Sequence, residues 1–216
     1  SYKLSMAYKG AVMVDDTTLF KVMQQAHEKG AVVMVHAENG DAIDVLVKEA
    51  QAKKQTAPRY HALTRPPETE GEATNRAIQL ARIADCALYV VHVSCKEAID
   101  PIAHAREADW NIHGETCPQY LFCDESYLDK PNFEGAKWIY TPPPRAKHNQ
   151  DHLWHALNKD VLSVISTDHC PFNWKSQKSL GKKDFALIPN GGVGIEDRVR
   201  LIHHYGVNQG RISLNR

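Results

Sequence analysis

Val32-Val33-Met34-Val35-His36 is a continuous apolar run that stops on a histidine, and Ala37-Glu38-Asn39-Gly40-Asp41 turns the chain into a segment with Ile43, Leu46, Val47 and Ala50 at helical spacing. An uninterrupted apolar strand is one buried on both faces, and a strand that feeds straight into a helix is half of a β-α-β crossover. The same grammar repeats on either side. Upstream, residues 2–8 (Tyr2-Lys3-Leu4-Ser5-Met6-Ala7-Tyr8) read as a strand. A helix capped by Asp16 and stopped by Gly30 follows, with Leu19, Phe20, Val22, Met23 and Ala26 recurring at its buried spacing. Downstream, a loop with Pro58, Pro66 and Pro67 leads to a helix with Ala73, Ala77, Ile78, Ala81 and Ala84 on one face, and Leu88-Tyr89-Val90-Val91 ends at His92. Ser94 and Glu97 have capping-box spacing, which predicts a helix start there and burial of Ala98, Ile99, Ile102 and Ala105. Residues 110–116 read as a strand, Leu153, Trp154 and Leu157 mark a helix, residues 161–168 form a strand ending at Asp168, and 195–204 predicts one more helix. Residues 124–147, with Pro142-Pro143-Pro144 unable to join a helix or a central strand, read as a long functional loop.

Strand and helix in strict alternation predict an α/β protein with a parallel sheet and helices packed outside it. A doubly wound sheet fits the strand count but concentrates its site at one switch point. Here the candidate ligands Lys3, His36, His92 and Asp168 fall at or just past the ends of well-separated apolar runs. A site assembled from several strand ends favours a (β/α) barrel.

Lysine plus arginine and aspartate plus glutamate both number 26, so no global field favours nucleic acid or an anionic membrane. No apolar stretch approaches a membrane span and no leader pattern is visible, so a cytoplasmic setting and a small-molecule ligand are expected. Five cysteines (Cys86, Cys95, Cys117, Cys123, Cys170) without paired spacing predict reduced thiols, not a disulfide framework. Most of the twelve histidines lie in helix-like or polar stretches and read as solvated surface. His36 and His92 differ, because a histidine ending a buried strand offers its imidazole to the mouth of the sheet, where neutral histidine and aspartate suit zinc. Lys3 fits no metal site as an ammonium.

Motif context changes the reading of Lys3. The segments Lys3 to Gly10, His36-Ala37-Glu38-Asn39-Gly40-Asp41, His92-Val93-Ser94, Gly114-Glu115-Thr116-Cys117-Pro118-Gln119-Tyr120-Leu121, Ser166-Thr167-Asp168-His169-Cys170-Pro171-Phe172 and Pro189-Asn190-Gly191-Gly192 occur in this order. Together they strongly resemble the cyclic amidohydrolases dihydropyrimidinase and D-hydantoinase, over nearly the whole chain. The resemblance implies a metal-dependent (β/α)8 barrel that opens dihydropyrimidine or 5-substituted hydantoin rings to N-carbamoyl amino acids. It implies that Lys3 is carboxylated and bridges two divalent metal ions, taken as zinc, that share a hydroxide. His36 and His92 would serve the second metal and Asp168 the first, with Asp168 also carrying the proton to the leaving nitrogen. Tyr8 would hydrogen-bond the developing oxyanion, and the backbones at Thr141 and Asn190 would hold the ureide. Ala11, Val12 and Met13 could line the pocket for the ring substituent, or be plain core. A homo-oligomer, commonly a tetramer, is implied as well.

The family's first strand carries a His-x-His pair, and none occurs in this sequence. In family terms residues 1–216 are therefore expected to form one catalytic barrel segment, beginning near strand 4 and running past strand 8 without the closing β-sandwich. Allantoinase and dihydroorotase share the metal logic. A non-catalytic scaffold such as the collapsin response mediator proteins shares the fold, but Lys3, Tyr8, His36, His92 and Asp168 are all present here, which counts against it. His169 reads as a brace for its loop, and Gly191-Gly192-Val193-Gly194 as a turn, not a phosphate cradle.

Overall fold

The computed structural model describes residues 1–216. The strands are β1 (Tyr2–Ser5), β2 (Val33–His36), β3 (Leu88–Val90), β4 (Ile112–Thr116) and β5 (Val164–Ile165). Between them run helices α1 (Asp16–Glu28), α2 (Gly40–Ala52), the one-turn α3 (Tyr60–Leu63), α4 (Pro67–Ile83), α5 (Lys96–Glu107), the short α6 (Pro118–Phe122) and α7 (Asn149–Asn158). After β5 comes α8 (Arg198–Leu201), which widens into a π turn over Ile202–Val207. No helix is long and apolar enough to cross a membrane.

All strand pairs are parallel, and the spatial order β1-β2-β3-β4-β5 equals the chain order. Such a sheet never reverses its winding, so it has no switch point and the doubly wound alternative is set aside. The register places Ser5 beside His36, Val35 beside Val90, Val90 beside Gly114 and Thr116 beside Ile165. Beyond the strands the ladder continues through Met6 N–H to His36 O (2.9 Å), Val93 N–H to Glu115 O (2.7 Å) and Ser166 N–H to Thr116 O (2.9 Å). The carboxyl ends of the strands are thereby held level, and the loops that follow them emerge at one rim.

The main core lies between the sheet and helices α1, α4, α5 and α7, with Leu19, Met23, Val33, Val35, Ile78, Leu88, Ile102, Ile112 and Leu153 among its buried side chains. Each contributes roughly 1.5–3 kcal/mol by leaving water. Alanines at 73, 77 and 81 let α4 approach α5 closely, and at Gly71 an added Cβ would sit 2.8 Å from Glu97 Cβ. A smaller core of Ala50, Leu128, Ala136, Ile139, Phe185 and Ile188 anchors the long loop between α6 and α7, which contains 3-10 turns at Glu125–Asp129 and Glu134–Trp138.

Four local expectations are corrected. Asp15, not Asp16, caps α1, accepting from Thr18 N–H at 2.7 Å. Ser94 does not cap α5: its N–H and hydroxyl are both donated to the buried carboxylate of Glu70, the N-cap is Cys95, and Glu97 Oε2 is buried without a partner. β5 stops at Ile165, three residues before Asp168. The last helix begins at Arg198, because the N–H groups of Gly194 and Ile195 are held by His169 Nδ1 at 3.1 and 3.4 Å. His169 is thus the brace that the sequence indicated, and all five cysteines are free thiols.

Candidate active site

His36 is the last residue of β2, His92 lies two residues past β3, Asp168 three past β5, and Tyr8 three past β1. Three of these leave their strands with left-handed backbones: φ is +66° at Tyr8, +43° at His92 and +45° at Asp168. For side chains bearing a Cβ this conformation is uncommon and costs on the order of 1–2 kcal/mol, aspartate tolerating it best. Such strain persists only where the surroundings fix it, and it aims the side chain away from the direction that the strand would give.

The imidazoles of His36 and His92 meet edge to face with ring centres 4.6 Å apart, and His36 Nδ1 lies 2.9 Å from His92 Nε2. His36 Nε2 donates to Glu38 Oε2 at 2.8 Å. With Nε2–H so committed, His36 Nδ1 accepts from His92 Nε2–H, which leaves His92 Nδ1 as a bare acceptor, buried and without a partner. Burial, with the nearby His36 and Lys3, drives the pKa of His92 well below the ordinary histidine range, so its ring stays neutral. Glu38 is fully buried. Burial raises its carboxyl, but the bond and charge of His36, with Arg65 and Arg145, outweigh that and hold it below its usual value.

Behind this pair lies a second buried ionic cluster. Arg145 Nη2 donates to Glu70 Oε2 at 2.7 Å, Arg145 Nε to Ser94 Oγ at 2.9 Å, and Arg145 Nη1 to the carbonyl of Arg65. Glu70 belongs to the first turn of α4, Ser94 follows His92, and Arg145 lies after the three prolines. One ion pair therefore ties the His92 loop to α4 and to the long loop. Both members are nearly inaccessible, at 3% and 5% exposure, so the attraction acts in a low dielectric.

Asp168 is half-buried. Burial raises its carboxyl above the ordinary range, against the lowering influence of Lys3 and His36. Lys3 is exposed along the β1 edge, yet its charge reaches Asp168, His92 and Cys117. Tyr8 packs its ring 5.4 Å from His36. Its phenol is raised above the ordinary value by burial, against the lowering influence of the neighbouring Thr141 and Asn190 side chains. Tyr8, Thr141 and Asn190, distant in sequence, therefore share one mouth with the histidines. Ala11, Val12 and Met13 are not core: their N–H groups converge on Tyr8 O at 3.0, 3.2 and 3.3 Å, and Ala11 and Val12 are exposed at the rim.

No three histidine, cysteine, aspartate or glutamate side chains stand close enough together to enclose a metal ion. The facing nitrogens, His36 Nδ1 and His92 Nε2 at 2.9 Å with the His92 ring held neutral, are nevertheless a pair of imidazole donors of the kind that a divalent ion takes. The principal cavities lie elsewhere; one of about 410 Å³, walled by Gln119, Tyr140, Gly192 and Val193, flanks the Asn190 turn. Sequence reasoning missed Glu38, Arg65, Glu70 and Arg145 as parts of the site. Only Glu38, two residues after a strand-terminal histidine, carried a local signal.

No protein-family model matches the chain. It is 56% identical over 215 residues to a D-hydantoinase of Geobacillus stearothermophilus, covering 100% of this chain and 46% of that protein. It is 43% identical over 214 residues to a dihydropyrimidinase of Arabidopsis thaliana, covering 99% of this chain and 40% of that one. The crystal structure of dihydropyrimidinase from Brevibacillus agri superposes with a TM-score of 0.98 at 58% identity, over 99% of this chain and 46% of the other. The chain thus spans about half the length of the relatives it matches. Over essentially its whole extent, in sequence and in backbone, it is a homologue of the D-hydantoinases and dihydropyrimidinases.

Proposed function

We propose that residues 1–216 are a catalytic segment of a (β/α)8 cyclic amidohydrolase that opens dihydropyrimidine or 5-substituted hydantoin rings to N-carbamoyl amino acids. The observation that carries this reading is the convergence of His36, His92, Tyr8, Thr141 and Asn190 on one mouth in a chain 56% identical to a D-hydantoinase. The singly wound sheet, open at β1 and β5, supports an arc of a barrel.

His36, His92, Asp168 and Lys3, the last as its carbamate, would hold a pair of divalent ions, and zinc suits the imidazole and carboxylate donors. Bound there, such ions would supply a water nucleophile at neutral pH and polarise the ring carbonyl. The protein's own part is positional and protonic. Glu38 fixes the tautomer of His36. Tyr8 remains a phenol and donates to the carbonyl oxygen as it gains charge. Asp168 receives the proton released at attack and delivers it to the departing ring nitrogen. The backbones at Thr141 and Asn190 hold the ureide, while Ala11, Val12 and Met13 meet the ring substituent. The full-length protein works as a homo-oligomer, in the tetrameric form common among relatives.

Turnover of dihydrouracil, 5-phenylhydantoin, allantoin and dihydroorotate by the full-length, metal-loaded protein tests the reading. Hydrolysis of the first two is expected. Hydrolysis of the last two alone would overturn the substrate assignment, and inertness toward all four would favour the scaffold reading.

A further inference from the structure

Lys178 is a buried lysine with no carboxylate partner. It is 4% exposed, sits in a 3-10 turn (Lys178–Gly181), and directs Nζ at two backbone carbonyls, Ile139 O and Pro189 O, each at 2.7 Å. The ring of Phe172 lies on another side, 5.7 Å from Nζ. Burying an ammonium without a counter-charge is costly, and burial lowers this one to about 8. An apolar residue would fill the space but take this donor from both carbonyls, so the amine requires an explanation beyond packing.

The two carbonyls it joins supply one. Ile139 precedes Thr141 by two residues and Pro189 immediately precedes Asn190. The same Ile139 O also accepts from Gly191 N–H at 3.0 Å. Gly191 is seated so tightly that an added Cβ would lie 2.2 Å from Cys170 O, and Cys170 N–H donates to Gly192 O at 2.9 Å. The loop after Asp168, the Asn190 turn and the Thr141 segment thus form one stack, and Lys178 is the side chain that joins the Thr141 segment to the Asn190 turn.

We propose that Lys178 is a positioning residue whose Nζ clamps the Thr141 and Asn190 segments at the separation that a cyclic ureide requires. The proposal rests on the ring-opening reading above. Lys178 touches neither the reacting atoms nor the candidate metal ligands, and it acts by fixing where two backbones stand. Displacing such groups by about 1 Å can cost on the order of a hundredfold in rate.

The test is Lys178→Met in the full-length protein, which keeps the stem and removes the donors. Expected are a fall of at least tenfold in kcat/KM for dihydrouracil, unchanged metal content, and faster amide hydrogen exchange confined to peptides covering 139–142 and 189–192. Activity within twofold of wild type, or unchanged exchange in those peptides, overturns the clamp. Acylation of the wild-type protein with an amine reagent gives a second measurement that does not depend on the variant folding. Lys178 must resist labelling while exposed Lys175 and Lys182 react, and equal labelling overturns the proposal. Exchange and labelling report on the clamp even in a protein that hydrolyses none of these rings, so failure of the functional reading is distinguishable from failure of the clamp.

Discussion

Nδ1 of His36 stands 2.9 Å from Nε2 of His92, and the opposite nitrogen of the His92 ring is buried with nothing to bond. The pair is held by Glu38, whose carboxylate takes the remaining N–H of His36. On the proposed metal reading, Glu38→Gln should weaken zinc binding by roughly 10–100-fold with the fold intact, since the hydrogen-bond partners of ligating histidines matter on that scale. Competition against a chromophoric chelator measures it. An unchanged affinity would remove Glu38 from the site.

Breaking the Glu70–Arg145 pair leaves one buried charge uncompensated. Arg145→Met is expected to destabilise by about 3–5 kcal/mol, while the double variant Glu70→Gln, Arg145→Met should recover much of the loss. Urea denaturation of the wild type, the two single variants and the double variant gives the coupling. A double variant as unstable as Arg145→Met would show that shape, not charge, is what the cluster supplies.

That cluster also marks where sequence reading stops. Val32 to His36 and Leu88 to Val91 announced their strands because apolar runs bounded by polar turns have one reading, and α/β alternation follows from their order. Ser94 and Glu97 have the spacing of a capping box, but Ser94 is claimed by Glu70, 24 residues earlier in the chain. A tertiary ion pair outweighed a local motif. Arg65 and Arg145 were silent for the same reason: a charge beside proline reads as solvated loop until the fold buries it. Tyr8, Thr141 and Asn190 were legible only through motif resemblance, and the mouth that they share is visible only in three dimensions.

His61 supplies a pH signature. It is buried, its Nε2 lies 2.9 Å from Tyr140 O, and burial with the neighbouring Arg65 lowers its pKa well below the ordinary value. As pH falls below about 6.5 the unfolded chain takes up a proton that the folded one refuses, so stability drops by up to ~1.4 kcal/mol per pH unit for each such histidine. His61→Gln keeps an amide donor for Tyr140 O and removes the titration. Chemical denaturation between pH 7 and 5 should show a shallower loss in this variant, and equal slopes would contradict the assignment.

Tyr8→Phe removes one donor from the mouth. A fall in kcat of about a hundredfold, near 3 kcal/mol, is expected with metal content unchanged. Steady-state kinetics with dihydrouracil decide it, and a change below threefold would exclude the phenol from the reaction.

The left-handed backbones at Tyr8, His92 and Asp168 set durability against chemistry. Glycine is the residue that this conformation prefers, so at these three positions a protein selected only for heat resistance would drift toward glycine and lose its site. A screen of random variants for survival at high temperature, without an activity filter, should be enriched at these positions.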